Sequence, residues 1–172
     1  KKENKNNKMK ITTVFEEKLL GTGATLMENR YFFEDSTGFL IHGDNLTDFN
    51  LSELLKAHRN KKENCLLTML TFNSNKPDQC GIVETDEYGV LKGFHEKVKN
   101  PPSNKANAAI YAFDYDLINF ISNLKTKKID FSKDIIPNLL GRIQTHHTEK
   151  ILIDIGTIES LKKANIVWSK EL

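Results

Sequence analysis

Residues 39–44 read Phe-Leu-Ile-His-Gly-Asp, and residues 151–156 read Ile-Leu-Ile-Asp-Ile-Gly. Each is a short apolar run that closes on a carboxylate within two residues of a glycine. A half-buried carboxylate needs a partner, so an acid at the end of an apolar strand asks for a reason. Asp44 and Asp154, carried by two different strands, can meet at a sheet edge and hold a divalent cation. Mg2+ takes one or two carboxylates and completes its shell with water and phosphate oxygens. The plainer reading makes Asp44 a turn residue and Asp154 a helix-proximal cap, both ordinary uses of aspartate. Spacing alone does not separate the two.

Around these runs, strand and helix signals alternate. Residues 11–15, 39–42 and 66–71 are apolar or β-branched with polar flanks and read as strands. In residues 51–59, Leu51, Leu54, Leu55 and His58 recur at the spacing of one helical face, with Asn50 as N-cap and Glu53 as its capping-box partner. Residues 81–85 and 90–94 flank Asp86-Glu87-Tyr88-Gly89 and read as a hairpin. Then come a strand at 107–113, a helix at 115–124, a shorter helix at 132–140 interrupted by Pro137, and a last core strand at 151–155. Thr157 caps a closing helix whose Ile158, Leu161, Ala164 and Ile166 or Val167 can face the sheet. This order predicts an α/β fold of Rossmann-like type: a mostly parallel sheet with helices on both faces and an inserted β-hairpin. Ligands of such sheets bind beyond the carboxyl ends of the strands.

The length of 172 residues suits one domain with its own core. A net charge of +2 is too small to imply a nucleic-acid or membrane partner. Lys1, Lys2, Lys5 and Lys8, interrupted by Asn, make residues 1–10 a basic, solvated tail and leave 11–172 as the domain. Cys65 and Cys80 stand in or beside apolar runs and read as small core hydrophobes rather than a disulfide or metal pair. His58 is expected on the helix surface and His146-His147 in a solvated loop. No apolar stretch spans a bilayer and no secretory signal opens the chain, so a cytoplasmic location is expected.

Two further stretches carry chemistry-bearing residues. Glu16-Glu17-Lys18-Leu19-Leu20-Gly21-Thr22-Gly23-Ala24 runs into a Gly-rich turn where backbone can approach a ligand closely; a helix entry without a ligand needs the same residues. Glu96 and Lys97 are neighbours, so on a regular strand they point to opposite faces. On an irregular edge both can reach a ligand, the acid toward hydroxyls and the ammonium toward phosphate; otherwise they are a surface ion pair.

Taken in order, E-E-K-L-L-G-T-G-A (16–24), H-G-D-N (42–45), C-G-I-V-E-T-D-E-Y-G-V-L-K-G-F-H-E-K (80–97), N-A-A-I-Y-A-F (107–113), D-F-S-K-D-I-I-P-N-L-L (130–140) and I-D-I-G-T (153–157) resemble the sugar-1-phosphate nucleotidyltransferase family. Within it the chain is most similar to the enzymes that make GDP-mannose or GDP-manno-heptose. The resemblance implies a nucleotide-diphospho-sugar transferase fold, with an NTP and a sugar 1-phosphate as partners and Mg2+ as cofactor; a sheet edge and face bared of an opening strand and helix would favour a homo-oligomer. The finer match implies GTP and mannose or manno-heptose, in the supply of surface polysaccharide precursors. It places Asp44 and Asp154 on the Mg2+, Glu16 and Gly21 against the base, and Glu96 on sugar hydroxyls. Lys97 falls on the sugar phosphate, and Gly81 and Asn107 touch the sugar.

Several positions depart from the pattern. The family generally opens with a strand, a Gly-rich loop containing Arg and a Pro-Lys pair, and the chain enters the pattern after them. Val98 replaces a Pro, Ala109 a Gly before Ile-Tyr, and His42 a smaller residue before Gly-Asp. Two other readings follow. One is a catalytically inactive sugar-nucleotide-binding or regulatory homologue, or an inactive fragment. The other is a metal-dependent glycosyltransferase, whose D-x-D run is missing from His42-Gly43-Asp44-Asn45.

Overall fold

The computed structural model of the chain describes residues 10–124 and 128–169, so Lys1, Lys2, Lys5 and Lys8 of the basic tail lie outside the described residues. Helix α1 (Thr22–Glu28) leads to strand β1 (Gly38–Ile41), the short β2 (Asn45–Thr47) and helix α2 (Leu51–Arg59). Strand β3 (Leu67–Asn73) precedes the hairpin of β4 (Gly81–Thr85) and β5 (Leu91–Glu96), then β6 (Lys105–Phe113) and helix α3 (Tyr115–Ser122). Strands β7 (Ile143–His147) and β8 (Leu152–Asp154) and helix α4 (Ile158–Trp168) complete the order.

The nine-residue β6 organises the sheet. One edge pairs with β3 along most of its length. The other pairs with β1 from Gly38↔Phe113 to Ile41↔Ile110 and touches β4 at Ile82↔Ala106. β7 extends the sheet beside β3, and β5 closes the opposite edge against β4. β2 and β8 form a separate two-stranded ribbon. The α/β fold and its layering are as expected, and the sheet is mixed. Among the described residues β3–β7 is the sole parallel ladder. Strands β1, β3, β4 and β7 do share a direction; β6 runs against them and separates them. Hydrophobic periodicity marks which segments are strands and carries no information about neighbours.

The two faces of the sheet bury different cores. Leu67, Met69, Tyr111 and Phe113 pack with Ala24 and Leu26 of α1, Leu117, Ile118 and Ile121 of α3, and Phe131 and Ile135. Leu70, Ala108, Ile110 and Ala112 pack on the opposite face with Phe49 and Leu54 of α2. The alternation of Met69 and Leu70 is the period of two that lets one strand serve both cores. Both cysteines are free, Cys65 buried and Cys80 partly so.

Local expectations fare unevenly. α2 has its predicted span, and the Asn50 side chain accepts from Ser52 N at 3.0 Å; the reciprocal capping box expected with Glu53 occurs instead at α4, between Thr157 and Ser160. Residues 132–140 form a π-helical turn (Phe131–Ile135) and a 3-10 turn (Ile136–Leu139), because Pro137 has no N–H to continue a helix. Residues 11–15 are not a strand: all are exposed, Phe15 at 87%, with no ladder partner among the described residues. His146 and His147, expected in a loop, lie on β7, whose sequence Ile-Gln-Thr-His-His buries only Ile143. Residues 152–154 belong to the ribbon rather than the core sheet. α4 buries only Ala164 and leaves Ile158 77% exposed, because it packs on β8 and not on the sheet.

His58 is also corrected, from helix surface to core. It is 1% exposed, on the same face of α2 as Leu54. Its Nδ1 lies 2.8 Å from Thr68 Oγ1, and its Nε2 lies 3.1 Å from Asp114 Oδ2, close but misaligned for a hydrogen bond. Lys61 Nζ and Thr37 Oγ1 both donate to Asp114, at 2.9 and 2.8 Å, and hold its pKa down although burial opposes them. Burial first, and then the Lys61 ammonium, depress the His58 pKa below its ordinary 6.5, against the pull of Asp114. The unfolded chain therefore binds more protons than the folded one just below pH 6.5. The His58 contribution is full above that pH and drains away as pH falls through the depressed folded value. The thermal midpoint should drop as pH is lowered below 6.5, and His58→Gln should flatten that limb; an unchanged limb in the variant would contradict this account.

Candidate functional site

The turn after β1 carries the first acid. Asn45 N donates to His42 O at 3.3 Å and closes the turn over Gly43 and Asp44. The chain then enters β2, where Asn45 pairs with Asp154 of β8, and Ile155 N donates to Asp44 O at 2.8 Å. Gly156 N donates to Asp154 Oδ1 at 2.7 Å. A Cβ built on Gly156 would lie 2.9 Å from Asp154 Oδ1 and 3.6 Å from Asp44 Oδ2. The two carboxylates thus converge over one glycine that leaves them room. Both are exposed, and neither takes part in an ion pair among the described residues. Two converging anions with no countercharge fit a divalent cation. With no cluster of three or more His, Cys, Asp or Glu among the described residues, the donor set matches Mg2+, which draws its other oxygens from water and phosphate.

A bulge in β6 joins this turn to the sheet. Met69 pairs with Tyr111 but Thr71 pairs with Asn107, so β6 spends four steps where β3 spends two. Ala109 takes up the slack at φ +52, a left-handed conformation that disfavours a Cβ. Asn107 Oδ1 accepts from Ala109 N at 3.0 Å, and Asn107 Nδ2 donates to the Tyr111 hydroxyl at 2.7 Å. Burial first, with Glu96 nearby adding to it, pushes the Tyr111 pKa far above its ordinary value, so that hydroxyl stays neutral. The carbonyls displaced by the bulge face the acid turn: Ala108 O accepts from Asn45 Nδ2 at 2.9 Å and Ala109 O from His42 N at 3.4 Å.

The open end of the hairpin lies alongside. Gly81 pairs with Glu96, and a Cβ on Gly81 would meet the Phe94 ring at 2.5 Å and Glu96 Oε2 at 2.8 Å; only glycine lets that carboxylate lie across the strand. Lys97 leaves β5 at φ +50, with its N donating to Cys80 O at 3.0 Å. The strict alternation that would oppose Glu96 and Lys97 therefore ends between them. Gly81, Glu96, Lys97 and Asn107 gather at one end of β4, β5 and β6, and the bulge connects them to Asp44 and Asp154.

Gly21 and Glu16 stand apart from that group. Gly21 caps α1 at φ +89, and a Cβ there would meet Ile129 O at 2.6 Å, so its glycine is explained by packing alone. Glu16 borders a cavity of about 530 Å3 lined also by Val14, Phe15, Lys18, Leu20 and Tyr31. Its Oε1 is buried with no hydrogen-bond partner. Asn45, the Ala108 and Ala109 carbonyls and Tyr111 are parts of the site that sequence reasoning missed. All four lie within the stretches 42–45 and 107–113, but only Ala109, standing where a glycine is usual, was singled out there.

The sequence profile of the family described as Nucleotidyl transferase matches residues 1–170. A glucose-1-phosphate adenylyltransferase of Clostridium acetobutylicum is 30% identical over 156 residues, covering 85% of this chain and 41% of the relative. One of Mycoplasma mobile is 28% identical over 156 residues, with the same coverage of 85% and 41%. Among solved structures, a Bacillus anthracis protein, provisionally described as a glucose-1-phosphate thymidylyltransferase, superposes with a TM-score of 0.77 at 23% identity, over 88% of this chain and 62% of its own. HddC from Yersinia pseudotuberculosis gives 0.73 at 20% identity, over 89% and 64%. At those identities the structures speak for the Rossmann-like α/β fold alone. The chain spans 41% of the length of the first of the curated relatives.

The strained bulge makes one outcome measurable. Ala109→Gly relieves a left-handed alanine worth about 1–2 kcal/mol and gives back part of that through unfolded-chain entropy. Urea unfolding should show a net gain of roughly 0.5–1 kcal/mol. A variant no more stable than the parent would mean that Ala109 is not held at positive φ.

Proposed function

The chain belongs to the nucleotidyl transferase family, and on that premise we propose that it transfers a nucleotidyl group from an NTP to a sugar 1-phosphate. The observation that carries this reading is the convergence of Asp44 and Asp154 over Gly156, beside the ends of β5 and β6 that carry Glu96, Lys97 and Asn107. A phosphate oxygen of the sugar 1-phosphate attacks the α-phosphorus of the NTP. The bond from that phosphorus to the bridging oxygen breaks, and pyrophosphate leaves with the electron pair. The second pKa of a phosphate monoester is about 6, so the nucleophile is already largely dianionic at neutral pH and needs no general base.

The remaining task is to bring two polyanions into line. Asp44 and Asp154 would hold a Mg2+ ion, which when bound offsets charge on the phosphates. The Lys97 ammonium pairs with the sugar phosphate. Glu96 accepts from sugar hydroxyls across the floor that Gly81 keeps free. Asn107 has its amide N–H on Tyr111, and a second lone pair on Oδ1 remains for a sugar hydroxyl.

Two observations bear on the substrate pair, and they point apart. The curated relatives are named for glucose 1-phosphate and adenylyl transfer, which favours ATP and glucose 1-phosphate over the mannose or manno-heptose of the finer resemblance. Glu16, read with Gly21 as the base contact, is an acceptor-only carboxylate with a buried, unpartnered oxygen. Guanine presents two donors side by side, whereas adenine sets a donor beside an acceptor, and that favours GTP.

The test is pyrophosphate release with Mg2+, pairing ATP, GTP or dTTP with glucose, mannose or manno-heptose 1-phosphate. One pair should turn over, and Asp44→Asn or Asp154→Asn should lower kcat by about 100-fold or more with little change in thermal midpoint. If guanine is the base, Glu16→Gln should shift the GTP-to-ATP preference by roughly tenfold, about 1.4 kcal/mol. Folded protein that binds a sugar nucleotide but releases no pyrophosphate from any pair would overturn the reading in favour of a non-catalytic homologue.

A further inference from the structure

Asn45 touches both halves of the site, and the surroundings of Asp44 show why that matters. The acid turn is thinly supported: Gly43 has nothing within 4 Å of where a Cβ would stand, and Asp44 itself is exposed. The ribbon that brings in Asp154 is a three-residue pairing of β2 with β8, a size of sheet that does not hold its own geometry in water. Few tethers orient the acids against the sheet, and Asn45 supplies the shortest one across that gap. Its Nδ2 donates to Ala108 O at 2.9 Å, across 63 residues of sequence. Its backbone N closes the turn onto His42 O, and its own ladder partner is Asp154.

We propose that Asn45 is a positioning residue: it fixes the Asp44 and Asp154 carboxylates at their meeting point over Gly156 by hanging the acid turn from the β6 bulge. The inference rests on reading those two acids as one metal-holding pair. The residue type suits the task. A lysine here would pair with the acids and compete with a cation, and an aspartate would repel both them and the Ala108 carbonyl. A neutral amide donates one hydrogen bond and leaves the charge of the site unchanged. The same bulge carries Asn107, so Asn45 also fixes the acids relative to the end of β6 where the sugar contacts are read.

The experiment measures Mn2+ binding to the protein by electron paramagnetic resonance, with no nucleotide or sugar present, and kcat and KM alongside. Losing a group that orients a metal-holding side chain typically weakens metal affinity by about 10–100-fold. Asn45→Ala should raise the Mn2+ dissociation constant at least tenfold and lower kcat more than it raises the KM for sugar phosphate. Asn50→Ala, which removes the amide that caps α2, should leave Mn2+ affinity unchanged and so separates positioning from general loss of stability. Should Asn45→Ala fail to fold, Asn45→Thr decides, since threonine suits a strand but does not reach Ala108 O. Affinity kept in the folded Asn45 variant while Asp44→Asn abolishes binding would overturn the positioning role alone. Parent protein that binds no Mn2+ would overturn the acid-pair reading and this inference with it.

Discussion

Two backbone carbonyls, those of Ala108 and Ala109, determine how the parts of this molecule meet. They are turned outward by a bulge that gives β6 two residues more than its partner β3 across the same interval. One receives the Asn45 amide and the other the His42 N–H. A left-handed alanine costs about 1–2 kcal/mol, and a regular strand would avoid that cost. It would also send successive carbonyls to opposite edges, so that the Ala108 and Ala109 oxygens would not both reach the acid turn. Backbone strain next to a candidate site has a purpose here that can be named from contacts.

The bulge also explains how two poorly supported elements become a defined site. The β2–β8 ribbon is too short to hold itself, and the hairpin joins the β6 ladder at one position, Ile82↔Ala106. Asn107 and Ala106 lie immediately before the displaced carbonyls. The segment 106–109 therefore meets the hairpin, the Tyr111 hydroxyl and the acid turn in succession. Glu16 is outside this arrangement and faces its own cavity. Glu16 and the acid pair thus sit on separable parts of the chain, and base and sugar are questions for substrates.

Much of this was legible because some features are local. The spacing of Leu51, Leu54, Leu55 and His58 is enough for α2, and Asp86 to Gly89 is enough for the hairpin turn. Asp44 and Asp154 announce themselves as charges that close apolar runs, although both are exposed in the folded chain. What was illegible is non-local. The direction of β6 relative to β1 and β3 depends on where its neighbours lie, and a period of two says nothing about that. β2 is three residues long and leaves no periodic trace; without it, residues 152–154 look like a core strand. His58 was misread for a related reason: its spacing put it on the apolar face of α2, and its chemistry suggested water. Thr68, ten residues away, and Asp114, at the end of β6, let the imidazole stay inside. Ala109 was the one visible sign of the bulge.

The proposed reaction depends on Asp44 and Asp154 forming one cation site. Crystals soaked in Mn2+ and measured for anomalous scattering test it most directly. The prediction is a single strong peak above Gly156, with Asp44 Oδ2 and Asp154 Oδ1 both as ligands. A peak held by either acid alone, or none at this position when Mn2+ occupies other sites, would contradict it.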